Sequence, residues 1–209
     1  PYAGLPGYLH DEQNRLVETR NPATQAVTGQ YAYDAFGRRV RKITASGTTL
    51  FFYDDAGHLV EERSLATVPN PVRDFAWIED EPVGVVDSGP LPTTFSWIHT
   101  ERLGTPLAVT SSPSVGSAQT VWRASYAPFG SAAVNQDPDG DSVLFGLDLR
   151  FPGQIWDAET GLHYNWHRYY DPSIGRYISA DPIGQAGGIN VYNYASNNPL
   201  RFIDPNGQN

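Results

Sequence analysis

Tyr33-Asp34-Ala35-Phe36-Gly37-Arg38-Arg39-Val40 recurs twenty residues later as Tyr53-Asp54-Asp55-Ala56-Gly57-His58-Leu59-Val60, and a degenerate copy, His10-Asp11-Glu12-Gln13-Asn14-Arg15-Leu16-Val17, stands 23 residues before the first. Each copy lies between alternating strands and carries Asp-x-x-Gly or Asp-x-x-Asn at its centre. That is a β-hairpin in sequence form: Asp caps the turn through backbone N–H groups, and Gly or Asn supplies the positive φ. The Tyr packs on one face. A hairpin of this kind cannot bury its apolar face alone, so the period predicts hairpins stacked in a solenoid or spiral sheet.

Composition agrees with a mainly β chain. The 209 residues, 40% of them hydrophobic, suffice for one buried core. Seventeen prolines and twenty glycines leave no stretch that reads as a long amphipathic helix, while aromatics alternating with Thr, Val and charged residues favour strands. No Met is present, even at position 1, which predicts a piece of a longer protein. Without Cys there are no disulfides or thiolate metal sites. There is no apolar run long enough to span a membrane, and Pro1-Tyr2-Ala3-Gly4-Leu5 lacks the form of a signal peptide. The net charge of −9 argues against nucleic acid held through its phosphates.

Beyond the repeats the text changes. Val68-Pro69-Asn70-Pro71 marks a break, and strands are then expected at Asp74 to Ile78 and Pro82 to Val86 around a Glu79-Asp80-Glu81 turn. Thr94 to Thr100 and Pro106 to Thr110 flank Arg102-Leu103-Gly104-Thr105; Ser111 to Ala118 is a polar turn, and Thr120 to Tyr126 a further strand closing on Pro128-Phe129-Gly130. Asn135, Asp137, Asp139 and Gly140 match the opening of a calcium loop, but Gly146 occupies the closing twelfth position. A solvated turn is the reading preferred, with no metal and no cofactor.

The C-terminal stretch repeats a different frame: Asp181-Pro182-Ile183-Gly184 and Asp204-Pro205-Asn206-Gly207, with 22 residues between the two aspartates. A couple of short extended segments and a turn would bring the two aspartates together. Two carboxyls that meet make a candidate acid–base pair, one holding a proton while the other acts on a water. Equally, each Asp caps a type I turn, which the frame favours by itself. Arg176, five residues before Asp181, is a candidate to orient one carboxylate, or else it bonds a turn carbonyl. His163 and His167 have the i, i+4 spacing of zinc ligands on a helix, but with Gly161 ahead of them and no third acid ligand, packing among Tyr164, Trp166 and Tyr169 is preferred. No nucleophile elbow, Walker loop or dinucleotide fingerprint is present.

From Trp97 onward these blocks resemble, in order, the C-terminal core of Rhs proteins, the polymorphic bacterial toxins that include the C components of insecticidal toxin complexes. The matching residues are Arg150-Phe151-Pro152-Gly153-Gln154, Asp157-Ala158-Glu159-Thr160-Gly161-Leu162, Tyr169-Tyr170-Asp171-Pro172, Gly175-Arg176-Tyr177 and the first Asp-Pro-x-Gly. The terminal motif is matched by Pro199, four residues, then Asp204-Pro205-Asn206-Gly207, with Gln208 where the family has Leu. Glu101-Arg102 replaces the family's Asp-His ahead of Leu103-Gly104-Thr105. The hairpins are similar to the YD repeats of Rhs proteins and teneurins.

The resemblance implies an arc or end cap of a spiral β-shell: YD-repeat hairpins over 1–65, connecting β segments over 66–149 and the Rhs-associated core over 150–209. It implies that Asp181 and Asp204 act as an intramolecular aspartic-type autoprotease cutting near Gln208 or Asn209 and releasing an enclosed C-terminal toxin. The implied partners are that toxin fragment and N-terminal shell or delivery components, and the implied course runs from bacterial cytoplasm to export or delivery into a target cell. Unpaired edges of an open arc also offer a route to homo-oligomers. The alternative is a non-catalytic YD-repeat scaffold that binds a partner or cargo.

Overall fold

The computed structural model describes residues 7–67, 70–89, 93–111 and 117–208. Pro1 to Leu5, Val68-Pro69 of the expected break, most of the polar turn between Ser111 and Ala118, and Asn209 lie outside the described residues. Twelve strands form one antiparallel sheet in strict chain order. They are β1 Tyr8–His10, β2 Leu16–Arg20, β3 Val27–Tyr33, β4 Arg39–Thr44, β5 Gly47–Tyr53, β6 Leu59–Ser64, β7 Val72–Ile78, β8 Glu81–Ser88, β9 Thr94–Thr100, β10 Pro106–Ser111, β11 Gln119–Tyr126 and β12 Ala132–Asn135. A second antiparallel sheet holds β13 Ile155–Trp156, β14 His163–Asn165, β15 Arg168–Asp171 and β16 Arg176–Tyr177.

The repeats fold as their sequence predicts. The Asp34 carboxylate accepts from the N–H groups of Phe36 and Arg38 at 2.9 and 2.8 Å, and Gly37 takes φ 79°. Asp11 and Asp54 bond their own loops in the same way, with Asn14 at φ 61° and Gly57 at φ 93°. The same five-residue closure recurs where no Asp stands: Glu101 N–H donates to Thr105 O and Ala127 N–H to Ser131 O, both at 2.9 Å. Hairpin stacking therefore continues beyond the three recognised copies. The sheet runs without interruption across residue 65, where β6 pairs with β7 through Glu61 and Asp74.

One aromatic per hairpin ties each repeat to the one before. The Tyr33 hydroxyl donates to Leu16 O at 2.5 Å, Tyr53 to Arg39 O at 2.9 Å, and the Trp77 indole N–H to Leu59 O at 2.8 Å. Leu16, Arg39 and Leu59 are equivalent positions, so each of these three links joins one hairpin to the one before it through a single side chain.

The four-stranded sheet packs on the buried face of these hairpins. Tyr33 and Tyr169 share a hydroxyl contact of 3.1 Å, Arg39 N–H donates to the Tyr164 hydroxyl at 2.7 Å, and the Tyr31 hydroxyl donates to Glu159 at 2.7 Å. Arg39 and Asp157, both fully buried, form an ion pair that Lys42 joins at 2.8 Å. Burial alone would push Asp157 up, but the Arg39 guanidinium and the Lys42 ammonium hold it below the ordinary carboxylate range. The rest of the Arg39 guanidinium lies over Tyr164 and Phe51 at 4.4 and 4.9 Å, so the aromatic faces take up the charge that hydrogen bonds leave.

The segment between the two aspartates differs from expectation. In place of short extended segments it makes two 3-10 turns, Gly184–Gly187 and Ala195–Asn197, with one isolated bridge between Arg176 and Asn193. Ala195, Ser196 and Asn197 all take positive φ, at 45, 53 and 59°. Glycine and asparagine at seven of the positions between the two aspartates favour local turns over a ladder. What anchors the segment is Tyr194, buried between Phe151 at 5.7 Å and Tyr170 at 4.8 Å.

Candidate functional site

Asp181 and Asp204 each open a turn. Asp181 Oδ1 accepts from Ile183 N–H at 3.0 Å, and Asp204 Oδ1 accepts from Gln208 N–H at 2.9 Å. The capping geometry that the Asp-Pro-x-Gly frame favours is therefore present at both. It uses one oxygen of each carboxylate and leaves the other free to turn inward. Both inward oxygens meet one guanidinium: Arg168 Nη2 lies 2.9 Å from Asp181 Oδ2 and 3.0 Å from Asp204 Oδ2. The two carboxylates thus come together, as the spacing allowed, with a cation between them.

Buried groups complete the cluster. The Tyr177 hydroxyl donates to Asp204 Oδ2 at 2.7 Å, and Asn165 Nδ2 donates to that hydroxyl at 2.7 Å and to Asp204 O at 2.8 Å. Burial pushes the Tyr177 phenol far up, with the Asp204 carboxylate adding to it, so Tyr177 stays a donor. Its ring lies 3.6 Å from the Arg168 guanidinium carbon. Asp204 is fully enclosed, whereas Asp181 retains 7% exposure.

The terminal motif is laid into this cluster by its backbone. Arg168 Nε donates to Gly207 O at 2.6 Å, so the peptide joining Gly207 to Gln208 is held at its carbonyl by Arg168 and at its N–H by Asp204. Gly207 has φ 74°, and a Cβ there would lie 2.5 Å from Asn165 O. Gly153 likewise admits the carbonyl of Pro205, which would sit 1.8 Å from an added Cβ. Pro199 is buried, Pro205 is exposed and Gln208 is half-buried. Asn209, the last residue of the expected cleavage motif, is outside the described residues.

Arg176 does not join the cluster. It is exposed on β16, paired across the sheet with Asp171, and Arg168 occupies the orienting position expected of it. The physical reason is strand alternation: Arg176 points out of the pleat while Tyr177 points in. Arg168 stands with Asn165 among aromatic strand residues that are almost all buried, a placement that the fold reveals and the local sequence does not. His163 and His167 are not on a helix. His163, on β14, bonds Gln154 Oε1 through Nδ1 at 2.7 Å, and His167 stacks on Trp166 in the following turn. In the acidic loop, Asp137, Asp139 and Asp141 gather their carboxylates within 4.8 Å, and Asp137 and Asp141 accept loop N–H groups.

A cleft of about 690 Å³ borders the terminal motif, with His58, Trp77, Arg102, Trp166, Pro205 and Asn206 among its walls. His58 stacks on Trp77 at 4.7 Å and bridges Asp54 and Asp80, tying two hairpin tips together.

Residues 16–200 match the family described as Teneurin YD-shell. Double-stranded DNA deaminase toxin A of Burkholderia cenocepacia is 32% identical over 221 residues, covering 95% of this chain and 15% of its own length. Toxin protein Tse5 of Pseudomonas aeruginosa is 30% identical over 230 residues, covering 95% of this chain and 17% of its own. A crystal structure of TcdB2-TccC3 without its hypervariable C-terminal region shares the fold, with a TM-score of 0.71 at 22% identity over 96% of this chain and 10% of that one. The chain thus spans less than a fifth of each of these proteins.

Proposed function

The chain belongs to the teneurin YD-shell family, as a YD-repeat and core piece of the Rhs type, and on that premise we propose that residues 150–209 end a toxin shell and cut their own chain near Gln208 or Asn209, freeing a downstream C-terminal toxin. The observation that carries this reading is the meeting of Asp181 and Asp204 at Arg168, on the same guanidinium that holds Gly207 O. The terminal segment is bonded to Asp204 through Gln208 N–H and reaches Asp181 through the shared Arg168. Asp181, the one with residual exposure, is the base toward water. It takes a proton as the water oxygen bonds to the scissile carbonyl carbon, and that proton passes to the leaving amine as the C–N bond breaks.

The reaction is intramolecular and single-turnover, so a modest rate suffices when the substrate is part of the same chain. The partners are the chain's own released segment and the remainder of the shell with its delivery components. The deaminase and toxin activities in the relatives' names belong to those proteins.

One observation favours a second reading, a non-catalytic scaffold. Every oxygen of the Asp204 carboxylate already accepts a bond, from Gln208 N–H, Tyr177 or Arg168, and such a hub also serves to latch the chain end. Intact-mass spectrometry on a chain extended by its own downstream residues separates the two. The wild type should be cut after Gln208 or Asn209 while Asp204→Asn stays whole; two uncut chains leave the scaffold.

A further inference from the structure

Between Asp181 and the buried Tyr194 the chain passes through Gly184-Gln185-Ala186-Gly187-Gly188, a 3-10 turn with no buried residue. It nevertheless lies directly on the site. A Cβ added at Gly187 would stand 2.8 Å from Asp181 Oδ2, 3.3 Å from its carboxyl carbon and 3.4 Å from Ile183 Cδ1. That oxygen cannot move aside without giving up its contact with Arg168. It is held from the other side by Arg168 at 2.9 Å, while Asp181 Oδ1 is pinned by Ile183 N–H.

The other glycines of this loop have a different reason to be glycine. Gly184 at φ 61° and Gly188 at φ 133° occupy backbone conformations that disfavour a side chain, and nothing would lie within 4 Å of their Cβ atoms. Gly187 is the reverse: its backbone is not in the left-handed region, and only the carboxylate excludes a side chain. An alanine there tests one contact without adding backbone strain.

Resting on the self-cleavage reading, we propose that Gly187 is a positioning residue: by lacking a side chain it lets the loop close on Asp181, presses the carboxylate against Arg168 and keeps it nearly shielded from bulk water. A methyl group at 187 displaces either the loop or the carboxylate. Displacing the carboxylate separates it from Arg168 and from Asp204, and a shift approaching 1 Å in a reacting group costs about a hundredfold in rate.

The test uses the chain extended past Asn209, with self-cleavage followed by intact mass. Gly187→Ala should slow cleavage about tenfold or more, while near-ultraviolet circular dichroism and the unfolding temperature remain those of wild type. Adding Ile183→Ala, which removes the methyl that backs the loop, should return part of the rate, a rescue that a general loss of folding would not give. Gly146→Ala, with open space around its Cβ and no positive φ, serves as the neutral control. A Gly187→Ala chain cut at the wild-type rate overturns the proposal. If wild type itself is not cut, the self-cleavage reading falls and the positioning claim is decided by the Arg168 guanidinium resonance: Gly187→Ala should shift it and speed its exchange with solvent, and an unchanged resonance overturns the claim.

Discussion

The twelve-stranded sheet and the C-terminal core are held together by different kinds of contact. In the sheet the decisive bonds are local: Asp34 bonds its own loop no farther than Arg38, and each strand pairs with the next in sequence. In the core they are distant: Lys42 meets Asp157 across 115 residues and Tyr33 meets Tyr169 across 136. A repeat specified within itself is tolerant of change elsewhere. A core assembled from far-apart polar groups depends on every partner being present, because a buried charge left alone is costly.

The sharpest way to break that contrast is at Asp157. Asp157→Asn leaves the buried Arg39 guanidinium and the Lys42 ammonium without their carboxylate, and unfolding by urea should lose about 3–5 kcal/mol. Replacing both partners together, as Arg39→Met with Asp157→Leu, should recover most of the loss, since apolar groups carry no desolvation cost. A loss below about 1 kcal/mol for Asp157→Asn would mean that this ion cluster does not fasten the core to the hairpins.

His163 sharpens the contrast through pH. Burial pushes its pKa down to about 3, and the nearby Arg150 charge adds to this. The unfolded chain takes up a proton near the ordinary histidine value, about 6.5, while the folded chain refuses it until about pH 3, so stability falls as pH drops through that window. Glu62 on β6, pushed up to about 7 by burial and by the Asp148 carboxylate, acts in the opposite sense, its contribution fading as pH rises toward 7. Comparing wild type with His163→Gln cancels the Glu62 part. Between pH 7.5 and 4.5 wild type should lose about 2–3 kcal/mol more than the variant. Parallel pH profiles would mean that His163 is protonated in the folded state.

This division explains what could be read in the sequence. The hairpins could be, because Tyr33 to Val40 and Tyr53 to Val60 carry both the strand alternation and the turn chemistry within eight residues. Strands β7 to β11 were legible for the same reason, from alternating runs bounded by turn residues. The aspartate pair was legible as a repeated frame, but the cation joining it was not, since Arg168 lies on a strand 13 residues before Asp181 and nothing local marks it as inward-facing. The chain between the two aspartates was expected to hold short extended segments and a turn, which its length allows; in the fold Tyr194 anchors a turn whose three consecutive residues take positive φ. Long-range polar packing leaves no period in a sequence.

Gly37 and Gly57 measure the two regions against each other at one repeat position. Both take positive φ, 79 and 93°, so an alanine at either pays the cost of a left-handed backbone, about 1–2 kcal/mol. They differ in what the core brings to them. At Gly37 the nearest atom to an added Cβ is Trp166 Nε1 at 3.9 Å, ordinary contact, whereas at Gly57 it is Trp166 Cζ3 at 2.3 Å. Gly57→Ala must therefore push the indole aside, and because Trp166 is half-exposed and held through its N–H to Phe36 O at 3.0 Å, the excess over Gly37→Ala should be about 1–2 kcal/mol, the lower part of what overpacking costs. Adding Trp166→Ala to each should erase the excess at 57 and leave the cost at 37 unchanged. Equal losses at the two glycines in the presence of Trp166 would mean that the core rests only lightly on the hairpin tips.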